Sequence, residues 1–122
     1  MAIAKLDVVA LDCPDPRALA DFYAAVLGGT LTHSEEDGAW LVLEVPGGQR
    51  LAFQKSPGYV PPAWPAAENG QQAHLDLTVG DLDRAEKEVL ALGARVLDAE
   101  DRDRSWRVYA DPVGHPFCLC AA

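Results

Sequence analysis

Three histidines, three cysteines and a surplus of carboxylates are the groups in this 122-residue chain with types suited to chemistry. The cysteines are Cys13, Cys118 and Cys120, an odd number without a CxxC spacing, so neither a disulfide framework nor a zinc finger is written in them. Cys118 and Cys120 stand two apart, which puts both thiols on one face of a strand. Alternation does the same upstream: in 74–79, Leu75, Leu77 and Val79 share one face, and His74, Asp76 and Thr78 the other. An imidazole can move a proton or ligate a metal, and a thiolate is a soft metal ligand or a nucleophile. A second group is aromatic. Trp40, Trp64, Trp106, Tyr59 and Tyr109 could stack on a flat or cationic molecule, each contact contributing on the order of 1 kcal/mol.

The background charge limits the partners. There are 19 acidic against 10 basic residues, a formal net charge of -9, and phosphate binding draws on clustered Lys and Arg that are missing here. A nucleic-acid partner is therefore not expected. A neutral or cationic small molecule is compatible, and so is plain solubility. With 49% hydrophobic and 24% charged residues, the composition is that of a globular protein and excludes disorder, collagen and coiled coil. A chain of this size buries roughly two thirds of its unfolded surface and needs no metal or disulfide to fold. No run approaches the ~20 apolar residues of a membrane span, and the first residues show neither a basic region nor an apolar stretch of signal-peptide length. A cytoplasmic chain is expected.

An internal repeat positions these groups. The segment 8–15 matches 74–81 in pattern, and Trp40 over Trp106, Val42 over Val108, Pro46 over Pro112 and Gly48 over Gly114 are each 66 residues apart. Leu27-Gly28 falls over Leu92-Gly93 with one residue dropped. Each copy reads as strand, helix and three strands. In the first copy a strand over 6–12 leads to Asp15 as N-cap, with Pro16 in the first turn and Leu19, Phe22, Tyr23, Val26 and Leu27 at helical spacing. Gly28-Gly29 stops the helix, and strands follow at 30–33, 40–45 and 51–54. The second copy predicts a strand at 74–79, Asp81 as N-cap, a helix to about Leu92 with Gly93 as its stop, and strands near 94–98, 106–110 and 116–120. The modules are thus 1–57 and 72–122 of one domain, with a Pro-rich linker or lid at 58–71. Tyr59 and Trp64 sit in that linker without a core to join, which favours a ligand or dimer contact. Trp40 and Trp106, symmetric in the repeat, are expected to be structural, and the charged runs 83–88 and 100–104 to be a solvated helix face and loop. Apolar strand faces must pack on the helices, so the polar faces look onto solvent or a concave cleft.

With these residues placed, the chain resembles a known family. Asp12-Cys13-Pro14-Asp15-Pro16, Ala20-Asp21-Phe22-Tyr23, Leu27-Gly28, His74-Leu75-Asp76-Leu77, Asp81-Leu82-Asp83 and Tyr109-Ala110-Asp111-Pro112-Val113-Gly114-His115-Pro116-Phe117 resemble the vicinal oxygen chelate superfamily. That superfamily includes glyoxalase I, bleomycin-resistance proteins and extradiol dioxygenases, and its small bacterial glyoxalase-like domains are the nearest in kind. The resemblance implies an α+β fold in which two βαβββ modules form a cupped, mixed eight-stranded sheet with helices outside. It further implies a homodimer and a ligand in the cup.

Enzymes of the superfamily hold a divalent metal with ligands from the first and last strands of each module. Carried over, those positions fall on Val8, Gln54, His74 and Cys118. Val8 has no donor atom, Gln54 offers a neutral oxygen, and Cys118 replaces the usual Glu. A hard cation or a two-histidine iron site does not fit such a set, whereas a divalent metal such as zinc, nickel or iron could sit on His74, Cys118 and Gln54. The other reading keeps Cys118 and Cys120 as small buried side chains and His74 as a hydrogen-bonded polar residue. Glyoxalase I chemistry needs a metal-bound carboxylate as base, which neither Gln54 nor Cys118 supplies. Metal-free relatives bind drugs between aromatics and acids. On that reading Asp12, Asp76, Tyr59, Trp64 and His74 are the contact residues for a cationic or aromatic ligand. The rival reading is a metal-dependent lyase or isomerase.

Overall fold

Asp15 and Asp81 start two helices, and the strands fall around them in the same sequence twice. The computed structural model describes residues 2–33, 37–63, 70 and 72–122. The elements are β1 (Val9–Cys13), α1 (Pro16–Leu27), β2 (Thr30–His33), β3 (Trp40–Glu44), β4 (Arg50–Lys55), β5 (Leu75–Val79), α2 (Leu82–Ala91), β6 (Arg95–Asp98), β7 (Trp106–Ala110) and β8 (Pro116–Ala121). The strands form two four-stranded mixed sheets, ordered β1-β4-β3-β2 and β5-β8-β7-β6. In each sheet the first and last strands of the module pair in parallel at one edge, and the other pairs are antiparallel. Two compact units, Met1–Tyr59 and Val60–Ala122, hold one sheet and one helix apiece. These are two βαβββ modules.

The repeat extends to individual hydrogen bonds. Val45 N–H donates to Gln49 and Gly48 N–H to Val45 (2.9 and 3.1 Å); Asp111 N–H donates to His115 and Gly114 N–H to Asp111 (2.8 and 2.9 Å). Lys55 N–H donates to the Ala39 carbonyl as Ala121 N–H does to Ser105, both at 2.8 Å. Each helix is capped alike: the Asp15 carboxylate accepts from Arg17 and Ala18 N–H, and the Asp81 carboxylate from Arg84 N–H.

The Asp-Pro-x-Gly turn before β8 owes its sequence to two constraints. Buried Asp111 accepts from Val113 and His115 N–H, both at 3.0 Å, so one carboxylate satisfies two donors of the turn. Gly114 lies at φ +100, and a Cβ there would stand 2.4 Å from Pro61 Cβ. Asp111→Ala is expected to lower the stability of the chain by about 1–3 kcal/mol, because it strands two half-buried N–H groups. Urea unfolding measures this; a loss near zero would show that water replaces the carboxylate.

The two helix-facing layers differ in chemistry. In the first unit the layer is apolar: Leu19, Tyr23, Leu43 and Phe53 are fully buried, and the Tyr23 and Phe53 rings stack at 5.8 Å. In the second, Tyr109 stacks on Phe117 at 5.6 Å, but Arg107 is buried beside them. Its guanidinium donates to Asp83 at 2.9 Å and faces Glu86 at 3.7 Å. Glu86 also accepts from Tyr109 Oη at 2.8 Å and pairs with Arg102 at 3.1 Å. The 83–88 run is therefore not a uniformly solvated face. Glu86 turns toward the sheet because Arg107 on β7 supplies a countercharge.

Candidate functional site

In the second unit the helix covers the face that carries Leu75, Leu77, Phe117, Leu119, Arg107 and Tyr109. The opposite face carries the groups with chemistry. Register places Asp76 beside Cys118 and Thr78 beside Cys120 across the parallel β5 and β8 pair, and Trp106 beside Cys120 across β7 and β8. His74, immediately before β5, completes the row: its Nε2 lies 3.1 Å from Asp76 Oδ1. One ligand atom each from His74, Asp76 and Cys118 lie within 4.8 Å of one another. These three residues, with Ser105, Trp106 and Cys120, line a cavity of about 390 Å³.

Electrostatics at this face favour holding over attacking. Burial, and then the Asp76 carboxylate that accepts its hydrogen bond, push the Cys118 thiol up to about 12. Burial and Asp76 move Cys120 in the same direction. Both thiols are protonated at neutral pH, which makes them poor nucleophiles. The donor set of imidazole, carboxylate and thiol is borderline-soft. It fits zinc, lacks the all-oxygen shell that magnesium or calcium needs, and lacks the second histidine of a non-haem iron triad. When bound, such a metal would polarise a ligand oxygen as a Lewis acid.

Trp106 forms a wall of this cavity and is 40% exposed. Arg104 lies over its ring at 3.7 Å and is held there by bonds to the Trp106 and Asp98 carbonyls and the Asp98 carboxylate. Trp106 and its repeat partner Trp40 differ in their surroundings. The first copy has Gly38 where the second has Arg104, so among the described residues the cation over an indole is found at Trp106 and not at Trp40. A larger cleft of about 750 Å³ opens between α2 and β6, where Glu86 already pairs with Arg102 and Asp98 with Arg104.

The remaining expected site residues lie elsewhere. Asp12 and Gln54 are exposed register partners in the first unit, and Gln54 also pairs with Trp40. By the 66-residue repeat Gln54 stands over Cys120, and Ala52 over Cys118, so Gln54 and Cys118 are not equivalent positions. Tyr59 is half-buried at the end of the first unit, and Trp64 lies outside the described residues. Cys13 is buried on the helix side of its sheet, its thiol 3.6 Å from the Gln54 carbonyl. Among the described residues no helix is long and apolar enough to cross a membrane.

The sequence model of the glyoxalase-like domain family matches residues 8–120. This chain belongs to that family. Its membership agrees with the vicinal oxygen chelate resemblance. The glyoxalase-like chain is similar to a glyoxalase/bleomycin resistance protein/dioxygenase family enzyme from Burkholderia phytofirmans, with TM-score 0.74, 20% identity, and 97% and 98% of the two chains covered. It is also similar to the fosfomycin resistance protein FosX from Listeria monocytogenes (TM-score 0.72, 14% identity, 99% and 95% covered). A possible glyoxalase from Bacillus cereus gives TM-score 0.71 at 16% identity, with 98% and 99% covered. At these identities the likeness is one of fold. No curated protein matches the chain.

Proposed function

We propose that this glyoxalase-like chain binds a small organic molecule in the cavity on the open face of the β5-β8-β7-β6 sheet, and that it lacks glyoxalase I activity. One observation carries this reading: the cavity joins an aromatic wall, Trp106, to a row of His74, Asp76, Cys118 and Cys120. A flat aromatic or cationic ligand suits it. The exposed indole offers a stacking surface, and Asp76 a negative charge. Trp106→Ala is expected to weaken binding about tenfold, since loss of one stacked aromatic contact costs about 1–1.5 kcal/mol. A thermal-shift screen of metabolites and antibiotics finds the ligand, and fluorescence or calorimetric titration of the wild type and the variant measures the loss. Undiminished affinity in Trp106→Ala would remove the cavity from the account.

Glyoxalase I chemistry is set aside on the residues. The last strands of the two copies carry Ala52 and Gln54, and Cys118 and Cys120, at the repeat-equivalent positions, and none of these is a carboxylate that could take the substrate proton. The glyoxalase I assay is expected to show no turnover with zinc or nickel added; turnover above the uncatalysed rate would contradict this.

The clustering of His74, Asp76 and Cys118 donor atoms favours a second reading, a divalent-metal-dependent lyase or isomerase using the same face. In either case the chain is read as a cytoplasmic homodimer. The homodimer follows the family pattern, and light scattering on the eluting protein tests it by the mass.

A further inference from the structure

The family scheme divides metal donors between two modules, and the first copy of this chain has a single donor to contribute at those positions. At the four repeat-equivalent positions of the first copy stand Val8, Ala10, Ala52 and Gln54, of which only Gln54 has a side-chain donor. The second copy has His74, Asp76, Cys118 and Cys120 at the same backbone positions. The repeat thus supplies a backbone for such a row without requiring donors on it, and only one copy carries them.

We propose that the second unit holds a zinc-class divalent metal by itself, through His74, Asp76, Cys118 and Cys120 on a single sheet face. The proposal rests on the second reading above, that a metal binds at this face at all; it adds that the shell closes within one unit. Alternation puts His74 and Asp76 on one side of their segment and Cys118 and Cys120 on one side of β8, and the parallel register sets Asp76 against Cys118. All four line the same cavity. The donor atoms of His74, Asp76 and Cys118 already lie within 4.8 Å. Zinc bonds of 2.0–2.3 Å place tetrahedral donors about 3.5 Å apart, so side-chain rotation has to bring these three closer and to swing in Cys120 Sγ, which lies outside the 4.8 Å cluster but on the same strand face. Cys118 and Cys120 carry free thiols, as ligation requires. Cys120 is the residue that makes the set complete, with a nitrogen, an oxygen and two sulfurs, a combination that selects zinc over harder ions.

Cobalt(II) titration of the reduced full-length chain tests the proposal, because the sulfur-to-cobalt charge-transfer band reports thiolate ligands and the visible bands report coordination number. Expected are one cobalt per chain, displacement by zinc, and tetrahedral visible bands. Cys118→Ser and Cys120→Ser should each lose about half of the charge-transfer intensity, and Asp76→Asn should lose roughly tenfold or more in affinity. Gln54→Ala should change nothing. Circular dichroism confirms that each variant is folded, and Cys120→Ala provides a second variant at the decisive position. Wild-type protein that takes up no cobalt would overturn the metal reading and the proposal with it. Cobalt uptake with full band intensity in both Cys120 variants, or with affinity lost in Gln54→Ala, would overturn the self-contained shell and leave the metal reading standing.

Discussion

Glu86→Ala is expected to destabilise the chain by about 3–5 kcal/mol at neutral pH, the cost of breaking a buried charge pair by removing one partner. Arg107 is 3% exposed and its charge is matched by Asp83 and Glu86. Asp83 is largely exposed, so Glu86 is the carboxylate that shares the buried site with the guanidinium. Its removal also strands Tyr109 Oη and releases Arg102. Glu86→Gln should lose less, since an amide oxygen still accepts from Tyr109. The pH dependence follows with a definite sign. Burial works to raise the Glu86 carboxyl, but hydrogen bonds from Arg102 and Tyr109 and the nearby Arg107 charge outweigh it and hold the group below its ordinary 4.5. The stability it contributes is therefore present above the unfolded value and lost as pH falls through the folded value. Urea unfolding as a function of pH should show that slope in the wild type and a flatter one in Glu86→Gln. Identical slopes would mean that Glu86 is not the titrating group.

Phe53→Ala should cost a similar 3–5 kcal/mol for a different reason. Phe53 is fully buried in the apolar layer of the first unit, where its ring stacks on Tyr23 and Leu43 is also fully buried. Truncation leaves a cavity with no charge nearby to respond. The loss should therefore be the same at about pH 7 and at about pH 3.5, below the ordinary 4.5 of a glutamate carboxyl, in contrast to Glu86. Guanidinium unfolding at the two pH values makes the comparison, and a loss below about 1 kcal/mol would show that the layer collapses around the gap.

These two variants mark what the sequence could and could not convey. Strand periodicity, Asp15 and Asp81 as caps and the 66-residue offset made the two modules legible, because each is a local pattern repeated. Alternation likewise put His74 and Asp76 on one face. Their proximity to Cys118 needed the parallel pairing of β5 with β8, segments about 40 residues apart, and no local pattern reports such a pairing. Gln54 was drawn in by analogy with Cys118, whereas the repeat sets it over Cys120. Glu86 looked solvated because its helix neighbours are charged. A clue was present in Arg107, which falls where the first copy has Leu41 on a helix-facing row and so called for a buried partner. Trp106 looked structural because it has a twin in Trp40, yet Arg104 has none.

The central claim is that ligand binding belongs to the open face of the second unit. Amide chemical-shift mapping of nitrogen-15-labelled protein, titrated with the compound that stabilises it most in the thermal-shift screen, tests this most directly. Perturbations should concentrate at Asp76, Ser105, Trp106, Cys118 and Cys120, the residues around the cavity of about 390 Å³. Perturbations concentrated instead at Leu90, Val96, Ala99 and Glu100, around the cleft between α2 and β6, would contradict it.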